Sequence, residues 1–105
     1  MGNRAVITFT NGDRKTYNEN EVGVYLHWNG SPEQVEQFLA DTRELMGDRL
    51  GDAIYAKARL MQVIGNAIDG NLSFGVGLCS ELDTENGDNG TYLVDPETMM
   101  VVEHR

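Results

Sequence analysis

Hydrophobic and polar side chains alternate with a period of two over residues 4–10 (RAVITFT), with Ala5, Ile7 and Phe9 on one face and Val6, Thr8 and Thr10 on the other. This pattern, rich in β-branched residues, predicts a strand. Asn11-Gly12 supplies the positive φ that both centres of a type I′ turn require, so residues 14–17 are expected to return as a short second strand. Residues 22–28 (VGVYLHW) predict a third strand, with Val24, Leu26 and Trp28 toward the core and Tyr25, His27 and Asn29 on the opposite face.

The period then changes. Asn29-Gly30 ends the strand, and Ser31-Pro32-Glu33-Gln34 carries a capping box, with Ser31 on the Gln34 amide, Gln34 reaching back, and proline at its preferred first position. Val35, Phe38, Leu39, Thr42 and Leu45/Met46 recur at helical spacing until Gly47, with Glu33 and Glu36 at the positive end of the macrodipole. A second helix is predicted over residues 52–68, burying Ile54, Ala58, Met61, Ile64 and Ile68 and flanked by Leu60, Val63 and Ala67. Gly65-Asn66 is its weak point, where it is expected to end early or bend.

Period two returns at residues 72–79, where Leu72, Phe74, Val76 and Leu78 alternate with Ser73, Gly75, Gly77 and Cys79. The two glycines suggest a bulge or a close backbone approach. Residues 81–90 form an acidic, glycine-bearing loop, and residues 91–94 and 99–104 form a hairpin around Asp95-Pro96-Glu97-Thr98. The order β-β-β-α-α-β-β-β predicts one α+β domain over residues 1–105, an antiparallel sheet of about six strands with two helices packed on one face.

Charge narrows the possible partners. The chain carries a net charge of −9, and the imbalance is uneven. Residues 1–30 are neutral, whereas residues 70–105 set Arg105 alone against Glu81, Asp83, Glu85, Asp88, Asp95, Glu97 and Glu103. Direct nucleic-acid binding is disfavoured, because phosphate neutralisation needs clustered Lys and Arg; a protein with a basic groove is the favoured partner. No apolar run is long enough to span a bilayer, and Met1-Gly2-Asn3-Arg4 leads straight into a strand, so neither a membrane nor a signal peptide is expected. Cys79 is the only cysteine, which excludes an intrachain disulfide and a cysteine-based zinc site and points to a cytoplasmic setting.

Catalytic residues are sparse. His27 and His104 are the only histidines, and no nucleophile elbow, phosphate loop, dinucleotide fingerprint or metalloprotease motif is present. No enzyme activity and no cofactor are expected. Residues 81–90 space oxygen ligands at alternate positions but lack the register and terminal bidentate glutamate of a helix–loop–helix calcium site, so no metal is assigned.

Val24-Tyr25-Leu26-His27-Trp28-Asn29-Gly30-Ser31-Pro32 resembles a family of small uncharacterised proteins of phages, prophages and other mobile elements. Its members carry a tyrosine, then His-Trp-Asp/Asn-Gly, then a proline opening a helix. The similarity continues through residues 58–64 (ARLMQVI), 73–77 (SFGVG) and 88–92 (DNGTY), and so touches most of the chain. It implies a mobile-element setting, where small acidic proteins antagonise host defence, as anti-CRISPR inhibitors do.

Two site expectations follow. In the first, Glu81, Asp83, Glu85, Asp88, Asp95 and Glu97, seconded by Glu33, Glu36 and Glu44, form an acidic surface that docks on the basic groove of a nucleic-acid-binding host protein, a defence effector. In the second, Tyr25, His27, Tyr55 and Arg59 bind or sequester a nucleotide-like ligand, within one subunit or between two. Monomer and homodimer both remain open.

Overall fold

The structure, a computed structural model, describes residues 3–10, 16–68 and 73–105. Its strands are β1 (Ala5–Phe9), β2 (Val22–Leu26), β3 (Phe74–Leu78), β4 (Thr91–Asp95) and β5 (Met100–His104), and its helices are α1 (Pro32–Met46) and α2 (Ala53–Ala67). They form an α+β domain around one five-stranded sheet of order β3-β2-β1-β4-β5.

That sheet is mixed, where an antiparallel one was expected. β1 pairs antiparallel with β2 but parallel with β4. Alternation identifies a strand without giving its direction. The direction is set by residues 79–90, which carry the chain back to the start of β1: Val6 N–H donates to Gly90 O and Asn89 N–H to Arg4 O, at 2.9 and 3.0 Å. The strand count also differs from the expected six. The Asn11-Gly12 turn and most of the return strand lie outside the described residues, while Thr16 and Tyr17 are in no strand.

Helix α1 follows its sequence signals closely. Ser31 Oγ accepts from Gln34 N, Pro32 opens the first turn, and Gly47 ends the helix at φ +52°. Val35, Phe38, Leu39, Thr42 and Met46 are buried, and Leu45 faces out.

Helix α2 keeps part of its expected face, with Ile64 buried and Met61 and Ile68 packed against the core, but the stripe is centred elsewhere. Ala56, Leu60 and Ile64 are buried, whereas Ile54 is 79% exposed and Ala58 is also outside. At about 100° per residue, Ala58 lies about 160° from Leu60. Apolar residues span more than half of the circumference, so the period alone does not fix the centre of the stripe and packing chooses it. The helix also runs through Gly65-Asn66 to Ala67 without stopping.

Both faces of the sheet are covered. The helices pack on Ala5, Ile7, Phe9, Val24, Leu26, Tyr92 and Val94 in a single core. Lys57 of α2 ties that layer to the sheet by its 3.1 Å ion pair with Glu21 and lies 5.4 Å over the Phe9 ring. The opposite face carries Val6, Thr8 and Leu93, and these are as deeply buried as the first set. Residues 79–90 cover it. Cys79 Sγ donates to Thr8 Oγ1 at 3.0 Å, and a Cβ on Gly23 would meet Leu82 at 3.1 Å and Cys79 Sγ at 3.2 Å. The glycine admits the covering segment. Burial pushes the Cys79 thiol above its ordinary pKa, as expected of a packed rather than a reactive cysteine.

Among the described residues, no helix is long and apolar enough to cross a membrane.

Candidate functional site

The acidic loop is folded, not loose. Asn86, 4% exposed, is its hub. Its Nδ2 donates to Asp83 O and Gly90 O at 3.0 and 3.1 Å, and its Oδ1 accepts from Asp88 N and Gly90 N at 3.0 and 3.1 Å. Two donors and two lone pairs are thus all used. Thr91 Oγ1 donates to Thr84 O at 3.1 Å, tying the loop to β4.

Arg4 locks the same loop to β1. Its Nε and its backbone N–H both donate to Asp88 Oδ2, at 2.9 and 3.0 Å, and its Nη1 lies 3.7 Å from Asp83. These bonds hold the Asp88 carboxyl below the usual carboxylate range and raise the Arg4 guanidinium further. Hydrogen bonding to the charged form is the leading cause in both.

The structure divides the nine acidic candidates by what they do. Asp88 is committed to Arg4. Glu81 accepts from Leu78 N at 3.1 Å and so ends β3. Asp95 Oδ1 accepts from Glu97 N at 2.9 Å in the β4–β5 turn, where Met99 takes φ +55°. Glu36 pairs with Arg43 at 2.5 Å, and Arg43 Nη1 also donates to Met99 O at 2.8 Å, joining α1 to the hairpin.

Asp83, Glu85, Glu97, Glu33 and Glu44 all project to solvent. They do not form one surface. Asp83 and Glu85 lie on the loop over one sheet face, whereas Glu33 and Glu44 belong to α1 on the other. Glu85 lines an open cleft of about 710 Å³ with Tyr17, Asp88, Thr91, His104 and Arg105.

Sequence reading gave His104 no role, yet it braces this cleft. Its ring stacks on Tyr92 with centroids 4.0 Å apart and planes 12° apart. His104 Nε2 also meets Asn89 O at 2.5 Å. Tyr92 in turn donates its Oη hydrogen to Gly30 O at 2.8 Å. Burial, with a smaller contribution from Glu33, pushes the Tyr92 phenol up to about 12.

The four residues of the ligand alternative fall into two places. Tyr25 projects from the Val6 face, its Oη 3.2 Å from His27 Nδ1. Tyr55 and Arg59 belong to α2, against the other face.

Trp28 is also displaced from the expected core: it is 47% exposed. β2 ends at Leu26, and Asn29 takes φ +66°, so strand alternation no longer applies to residues 27 and 28. His27 and Trp28 therefore sit side by side, ring centroids 5.1 Å apart and nearly perpendicular, rather than on opposite faces.

Tyr55 and Arg59 do line a cavity of about 340 Å³, shared with Leu45, Met46 and Arg49. The i, i+4 spacing of Tyr55 and Arg59 was readable as one helix face. Their meeting with α1 was not.

Among the described residues, no three His, Cys, Asp or Glu side chains gather as metal ligands would. Comparison with protein families, curated proteins and solved structures finds no match for this chain.

Proposed function

We propose that this chain is a small acidic interaction protein that docks on a basic, nucleic-acid-binding groove of a host protein. The mobile-element resemblance makes a defence effector the favoured target and inhibition, in the manner of an anti-CRISPR protein, the favoured outcome. One observation carries the proposal: the loop over the sheet is pinned by Asn86, Cys79 and the Arg4–Asp88 pair, yet it turns Asp83 and Glu85 outward. Carboxylates on a fixed frame lose little conformational freedom when they meet Lys or Arg side chains, and their negative field steers a basic partner toward them.

The test compares two double charge reversals that change net charge equally. Asp83→Lys with Glu85→Lys alters the loop, whereas Glu33→Lys with Glu44→Lys alters α1. The tagged protein captures its partner from host lysate and releases it as salt rises. Like-charge contact is disfavoured by several kcal/mol, so the loop variant is expected to lose capture by well over tenfold and the α1 variant to keep it. Equal loss in both variants would leave only net charge at work and refute docking through the loop. Asp88 is left unchanged because its substitution attacks the fold.

A further inference from the structure

Arg59 stands apart from the other described cations. Arg4, Arg43, Arg49, Lys57 and Arg105 each have a carboxylate partner, namely Asp88, Glu36, Asp52, Glu21 and Glu103. In a chain with 17 acidic side chains, Arg59 has no such ion pair among the described residues. Its Nε is buried with no hydrogen-bond partner, an unusual state for a guanidinium.

The surroundings of Arg59 have the form of a binding site. The cavity of about 340 Å³ is set between the end of α1 and the start of α2, at the small end of the range for ligand pockets. Met46 is buried at one wall, and Leu45 and Tyr55 are about half exposed at the rim. Arg49 holds its guanidinium 4.9 Å over the Tyr55 ring and reaches Asp52 at 3.5 Å, a distance that leaves the pair loose. Two guanidiniums therefore share one small cavity with an aromatic face and an aliphatic edge.

We infer that this cavity binds a small oxyanion that carries one flat ring, a phosphate or carboxylate no larger than a nucleoside monophosphate. The oxyanion would accept from the terminal nitrogens of Arg59 and Arg49, whose planar forks suit two-oxygen acceptors. The ring would lie against Leu45 and Tyr55. The site is separate from the acidic loop, on the other side of the sheet, and does not depend on the docking function proposed above.

The experiment is a thermal melt and a calorimetric titration of the whole chain with AMP, phenyl phosphate, benzoate and inorganic phosphate. Saturable stabilisation by one or more of the ring-bearing anions is expected, with inorganic phosphate weaker by about tenfold or more for want of the apolar contact. Arg59→Gln is expected to weaken binding about ten- to hundredfold, the worth of a charge-assisted hydrogen bond. Because Arg59 is half-buried, Arg49→Gln on the exposed rim supplies a second variant that leaves the core untouched, and it too should weaken the ring-bearing anions. Absence of saturation by every ring-bearing probe overturns the inference. So does inorganic phosphate binding as tightly as AMP, or titration curves unchanged in both variants.

Discussion

Replacing Tyr92 by Phe isolates one hydroxyl at the joint between the sheet and α1. The ring stays, and with it the stack on His104, while the 2.8 Å bond from Oη to Gly30 O is lost. Tyr92 is 2% exposed and Gly30 is buried, so water does not readily replace the donor. A buried carbonyl deprived of its partner costs about 1–3 kcal/mol. For a domain of this size each kcal/mol lowers Tm by roughly 4–8 °C, and a urea midpoint should fall in proportion.

The same hydroxyl gives an independent signature at high pH. The fold raises the Tyr92 phenol from 10.0 to about 12, which means it favours the neutral, protonated form. The associated stability is complete below pH 10 and declines as pH rises toward 12, by on the order of 2–3 kcal/mol. Tyr17 is raised as well, chiefly by burial, so wild type keeps some alkaline sensitivity from that source. The quantity to read is the difference between wild type and Tyr92→Phe in urea midpoints from pH 8 to 12. The gap should be widest near neutrality and narrow as Tyr92 ionises. A constant gap, or no gap at pH 8, would refute the assigned role of the hydroxyl.

Asp88→Asn removes the lock between β1 and the acidic loop. Because the folded Asp88 carboxyl lies below its ordinary range, its stabilising effect is present above about pH 4 and is lost as pH falls further. The variant should be less stable than wild type at pH 7 and approach it under acid, as read by urea midpoints at pH 7 and pH 3; parallel curves would sink the idea. Two glycines should respond oppositely to alanine. At Gly30 a Cβ would stand 2.6 Å from both Ala5 Cβ and Asn3 O, so Gly30→Ala should destabilise by about 1–3 kcal/mol. At Gly65, exposed in α2, a Cβ meets only the Phe74 ring edge at 3.4 Å, so Gly65→Ala should stabilise by roughly 0.5–1 kcal/mol. Thermal melts of the two variants check both signs.

The elements that could be read locally are the ones whose signals are local. Ser31, Pro32 and Gly47 bound α1 by cap chemistry that involves a few neighbouring residues, and its five buried side chains follow from one period. The turn at Asp95-Pro96-Glu97-Thr98 likewise closes on itself, with Met99 N donating to Asp95 O at 2.7 Å. Strand direction is not local. β4 runs parallel to β1 because the covering loop returns to Arg4, and neither segment records that in its own pattern. The buried face of α2 is equally nonlocal, since Ile54 and Leu60 are both apolar and only the packing against α1 separates them.

For the candidate sites, the residue types were visible and their commitments were not. Nothing in Glu81, Asp83, Glu85 and Asp88 as a run says that Asp88 closes on an arginine 84 positions away while Glu85 faces solvent. The hub of the loop, Asn86, carries no charge and is hidden in a sequence that reads as a solvated acidic stretch. The cations show the reverse. Arg4, Arg43, Lys57 and Arg105 are spent on holding layers together or on nearby carboxylates, so the charge left for recognition is smaller than composition suggests. Arg59 was readable as a ligand candidate on one helix face with Tyr55, but not as a cation without a carboxylate partner. That it has no carboxylate partner among the described residues emerges only once the other described ion pairs have been placed in space, which no local pattern records.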